Sequence, residues 1–148
     1  MSTAILMNSS DMASLLTLER SRGRLLTAEG IAFLALARLS VAVIPFSRWR
    51  SSLGCKGPPT AGDAERARQL ANRVARASEF VRSKCLPQAM ALSWMLRRRG
   101  IGHAVVIATR PKALRSGADS LHAWVEVRGK KILGDLPGSW HETLRIGK

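Results

Sequence analysis

The sequence has no tyrosine, only 5% aromatic residues, two cysteines, three histidines and ten acidic residues in 148. Two cysteines, Cys55 and Cys85, exclude a disulfide scaffold and a four-thiolate zinc site, leaving one bridge formally open. No CxxC or HxxxH ligand spacing occurs, nor a phosphate-binding loop or GxGxxG turn, so no metal and no nucleotide cofactor is expected. The first 18 residues carry no Lys or Arg, which leaves a secretory signal without its basic start. The longest apolar run, Ile31 to Phe46, is broken by Arg38 and Ser40 and is shorter than the roughly 20 residues of a spanning helix. It reads as a buried core helix. The alternative is a helix lying on a membrane surface, since Arg20, Arg22, Arg24, Arg48 and Arg50 flank it. The expected location is cytoplasmic, with reduced thiols and, on the alternative reading, peripheral membrane association.

Against these absences stand 24 basic residues, giving a net charge of +14 and a pI of about 11.6. An anionic partner, a membrane surface or an acidic polypeptide suits that excess. Hydrophobic residues make up 46%, enough for one globular core.

Residues 1–22 read as a flexible start, and 23–148 as a single domain. Thr27 is placed to cap a helix running to Ile44, stopped by Pro45. Residues 51–62, with three Gly and two Pro, read as a linker between this helical part and a core over 63–148. A helix follows from Asp63 to about Phe80, with Ala67, Leu70, Val74, Ala77 and Val81 on one face and Arg66, Arg68, Arg73 and Arg76 largely off it. Ser83 is placed to cap the next helix, with Pro87 in its first turn, Arg97 to Arg99 in its last and Gly100 as its end. Then the pattern changes to strands, His103–Thr109, Leu121–Val127 and Lys130–Leu133, with a loop over 110–120 and a turn at Arg128-Gly129. Helices first and an antiparallel sheet after make an α+β fold.

Cys85 falls in the first turn of its helix, beside Lys84. Free backbone N–H groups and the helix dipole there favour the thiolate that a nucleophile needs. The plainer reading is a small core residue. Such a thiol needs a histidine base held by a third group. A two-residue turn at Arg128-Gly129 pairs Val127 with Lys130 and, at the same register, His122 with Asp135. A three-residue loop would put Leu136 there instead. Taken singly, His122 reads as an ordinary strand histidine and Asp135 as a turn residue; the combination is stronger. Trp124 shares the His122 face, as a peptide contact or as core. His103 and His141 have no acidic partner in the expected pairing, and Gln88 reads as a surface residue.

The blocks SKCLPQAMALSWMLRRRGIGHAVVIAT and HAWVEVRGKKILGD resemble the transglutaminase-like cysteine enzymes, and within them the stand-alone leader peptidases of lasso-peptide biosynthesis. GRLLTAEGIAFLALARLSVAVIPFSRWRSSLG is similar to the helical N-terminal part of the same family, so the likeness spans about 23–136. It implies a papain-like core with the catalytic helix on a small antiparallel sheet. It implies a triad of Cys85, His122 and Asp135, and no cofactor. It also implies three partners: a precursor peptide, a small protein that binds its leader, and an ATP-dependent macrolactam cyclase acting afterwards. Unsplit relatives carry a β-rich leader-binding module at their N-terminus. Residues 1–62 show helical periodicity instead, so a separate partner is expected. Acyl transfer to an amine is the competing enzyme reading. A basic nucleic-acid-binding module through Arg66, Arg68, Arg73, Arg76 and Arg97–Arg99, or an inactive adaptor, are the non-enzymatic ones; no recognition motif supports nucleic acid.

Overall fold

A computed structural model describes residues 9–58, 60–114 and 120–147. Helix α1 runs Ser9–Val43, α2 is one turn at Phe46–Trp49, α3 spans Asp63–Val81 and α4 spans Cys85–Arg98. Strands β1 (Ala104–Thr109), β2 (Leu121–Val127), β3 (Lys130–Leu133) and β4 (His141–Gly147) form one antiparallel sheet in the order β3-β2-β1-β4. The fold is α+β, helices first, as the sequence indicates.

Helix α1 begins much earlier than Thr27. Thr27 lies within it and its hydroxyl donates to the Gly23 carbonyl (3.0 Å), so it caps nothing. A threonine satisfied by the preceding turn does not need to start a helix. Residues 1–8 lie outside the described residues. Pro45, extended at φ −58°, closes the helix as expected. The inner face of α1 carries Gly23, Gly30, Leu34 and Ala37. Gly30 faces Ala77 of α3, where an added Cβ would make an ordinary 3.5 Å contact. Glu29 of α1 binds Arg98 (3.1 Å) and Arg99 (2.7 Å), fastening α1 to the end of α4.

The segment expected as a linker is built into the body instead. Trp49 and Leu53 are buried, Cys55 and His103 exchange two backbone hydrogen bonds of 3.1 Å, and the Gly54 N–H donates to Ser93 Oγ (3.0 Å).

Helix α3 buries Ala67, Leu70, Ala71, Val74 and Ala77, with Val81 half-buried, as the spacing predicts. Helix α4 ends in a Schellman motif: Ile101 N–H donates to Leu96 O and Gly100 N–H to Arg97 O, with Gly100 at φ +66°. Its start differs from expectation. Lys84 is the cap residue, no side chain caps it, and Ser83 does not reach its N–H groups. Gln88 has a local task, donating its amide to the Ser83 carbonyl (2.7 Å).

Strand alternation divides the sheet. Val105, Ala123, Val125 and Val127 join the helical core; Val106, Ala108 and Trp124 form a second cluster on the opposite face, against Trp140. β4 was expected as a tail. Its HETLRIG pattern is mostly exposed and polar, which hides an edge strand from a hydrophobicity reading.

Candidate active site

Cys85 is the first residue of α4, half-buried, with a free thiol; Cys55 is free too, so the two are not bridged. His122 is the second residue of β2 and 5% exposed. The end of α4 is tied to the start of β1 through Ser93, whose Oγ lies 2.7 Å from His103 Nε2. From Ser93 back to Cys85 α4 rises about 12 Å, and from Ala104 to Ala108 β1 advances about 13 Å. Ala108 pairs with His122. Helix α4 packs on β2 and β1 from the face that carries Ala123 and Val125. The imidazole points to the sheet face shared with Trp124, and no hydrogen bond joins it to the Cys85 thiol among the described residues.

What holds His122 is the backbone. Its Nε2 lies 2.5 Å from the Gly134 carbonyl. A carbonyl only accepts, so Nε2 carries the hydrogen and the neutral ring keeps its lone pair on Nδ1. Gly134 sits at φ +82°, and a Cβ there would meet the Ala123 carbonyl at 2.7 Å. Only glycine lets the chain turn this closely.

The Asp135 carboxylate is not brought to His122. The turn at Arg128-Gly129 is the expected two-residue one, both residues left-handed (φ +54° and +71°). Val127 pairs Lys130 and Glu126 pairs Lys131, but Val125 pairs Leu133. Ile132 is thus the extra residue of a β-bulge, and it shifts the register by one. Asp135 therefore stops one residue short of its expected partner, level with Ala123; its side chain is 78% exposed and ion-paired to Lys131 (3.6 Å).

Trp124 shares the His122 face as expected, ring centroids 6.0 Å apart, but its indole N–H is taken by Glu126 (2.6 Å) and the residue is core. Sequence reasoning missed Trp140. It stacks 5.0 Å from His122 and under Arg110 (4.9 Å), with a buried indole N–H that no described residue accepts. A tryptophan in an otherwise polar tail was the available signal.

The other histidines lie apart. His103 is buried and uncharged: Nδ1–H donates to Ile101 O (2.8 Å), Nε2 accepts from Ser93, and burial pushes its imidazole below the ordinary histidine value. His141 is exposed, opposite Thr109. Among the described residues no three His, Cys, Asp or Glu side chains converge to hold a metal.

Residues 31–145 match the family model of the transglutaminase-like superfamily. No curated protein and no solved structure matches the chain. That family match covers most of the sequence, Cys85 and His122 included, and the chain belongs to the transglutaminase-like superfamily.

Proposed function

We propose that this protein is a cysteine peptidase that removes the leader from a ribosomally made lasso-peptide precursor. The reading is supported by the superfamily match over 31–145 together with a thiol at a helix start and a histidine whose Nε2 meets the Gly134 carbonyl, leaving Nδ1 free to take a proton. Cys85 attacks the carbonyl at the leader–core junction. His122 receives the thiol proton on Nδ1 and delivers it to the leaving core amine; water then hydrolyses the thioester. The Cys85 N–H, free at the first turn, suits the developing oxyanion. The Trp140 N–H is a second unpaired donor beside His122. The Gly134 carbonyl orients the ring, while Asp135, one residue on, pairs with Lys131. A separate leader-binding protein presents the substrate, and an ATP-dependent cyclase closes the freed core. The setting is cytoplasmic.

The test mixes the protein, the leader-binding protein and the precursor, and reads products by mass spectrometry. One cut at the junction, abolished by Cys85→Ala and by His122→Ala, is expected. Uncut precursor with folded wild type and bound partner contradicts the peptidase reading; a product mass gaining an amine in place of water assigns acyl transfer instead.

A further inference from the structure

The outward face of α1 is apolar over its second half, and no described residue covers it. Each inner residue of α1 has an outer counterpart two positions on, about 200° around the helix. Buried Gly23, Gly30, Leu34 and Ala37 are thus followed by exposed Leu25, Ala32, Leu36 and Leu39. Leu18 and Val43 extend the stripe at both ends. The five large residues of this stripe are 49% to 71% exposed. Arg22 and Glu29 interrupt the first half of this line; its second half, Ala32, Leu36, Leu39 and Val43, carries no charge, on a helix about 50 Å long. Five such residues on one exposed ridge are not the scatter of single apolar side chains that any surface carries.

The charges around the stripe identify its occupant. The only acids between Leu18 and Val43 are Glu19 and Glu29, and the Glu29 carboxylate is already bound to Arg98 and Arg99. Arg22 lies in the first half of the stripe and Arg24 to one side of it, and exposed Arg48 and Arg50 follow its end. A second copy would bring +14 against +14. An anionic lipid surface answers both the apolar ridge and its basic border. Crossing the bilayer is a different matter: α1 is long and apolar enough by composition, but its inner face is packed on α3 and α4, and it carries Arg20, Arg22, Arg24, Glu29 and Arg38. We infer that α1 docks the protein in the plane of an anionic membrane, with Leu25, Leu36, Leu39 and Val43 entering the acyl boundary and the flanking arginines at the headgroups. This does not depend on the peptidase reading.

Flotation with vesicles of equal parts phosphatidylglycerol and phosphatidylcholine tests it, beside vesicles of phosphatidylcholine alone. Wild type is expected to float with the anionic vesicles, with a partition constant on the order of tenfold or more above the neutral ones. The paired substitution Leu36→Ser, Leu39→Ser should abolish flotation while circular dichroism stays unchanged, since both side chains are exposed. No flotation of wild type overturns the inference. So does flotation that survives the paired substitution, which would assign arginine contact alone. Resistance to an alkaline wash would assign spanning. A lipid-free dimer dispersed by the same substitution would assign a second copy.

Discussion

His122 keeps its reactive lone pair on Nδ1 because Gly134 occupies Nε2. The arrangement makes Gly134, not Asp135, the residue on which ring orientation turns. Gly134→Ala places a Cβ against the Ala123 carbonyl in a left-handed backbone, and misplacing the carbonyl by about 1 Å should cost on the order of 100-fold in kcat/KM. Asp135→Asn, at an exposed site, should cost far less; equal losses in the cleavage assay would show that the carboxylate orients the ring during turnover. His103 is the other buried imidazole, and its consequence is stability. Burial is the largest cause of its lowered value, helped by Arg97 and opposed by the Ile101 carbonyl. The unfolded chain therefore takes up this proton first as pH drops. Its contribution is complete above about pH 6.5 and declines as pH falls toward the depressed folded value. Thermal midpoints measured across that range should slope downward toward acid for wild type and flatten for His103→Asn. Cys85 at its helix start and His122 within its strand were legible from residue type and pattern. The Gly134 contact was not, because a backbone acceptor has no sequence signature.

At the scale of elements, one bulge decides the site. The two-residue turn, β2 and β3 all stand where turn chemistry and β-branched runs put them. Yet the hairpin register holds for only two pairs before Ile132 slips it. Bulges insert a residue without changing the alternation a reader relies on, so Asp135 was placed opposite His122 on a pattern that was right up to Glu126. Helix ends show the same contrast. Gly100 was legible because φ > 0 demands it; the uncapped start at Lys84 and the early start of α1 were not, because packing rather than capping holds them. Glu29 is central to that packing. With Arg99 one-third exposed and Arg98 largely so, the network is worth roughly 1 kcal/mol. Glu29→Gln should lower unfolding stability by about that amount in denaturant titration, and a loss above about 3 kcal/mol would mean α1 depends on the ion pairs rather than on its apolar face.

For the whole molecule, class and organisation followed from composition and period: helices first, a small antiparallel sheet after, and a membership that the family match over 31–145 shows. Two parts were hidden. The segment 51–62 looks like a linker because Gly and Pro are frequent in it, yet a bridge to His103 and a bond to Ser93 build it into the core. The edge strand β4 is polar because it faces solvent, yet it pairs with β1 and carries Arg145 to Glu126 (2.8 Å) and Glu142 (2.8 Å). The proposed chemistry rests on two side chains of this frame, a thiol on α4 and an imidazole on β2. The chain also supplies its own control, since Cys55 is a second free, half-buried thiol whose neighbouring His103 has both ring nitrogens engaged by Ser93 and Ile101. Residue-resolved mass spectrometry of iodoacetamide labelling at neutral pH, on wild type and His122→Ala, therefore tests the account most directly. The account predicts that Cys85 is alkylated well ahead of Cys55 in wild type and loses that lead when His122 is removed. Equal rates at the two cysteines, or a lead for Cys85 that His122→Ala leaves intact, would contradict it.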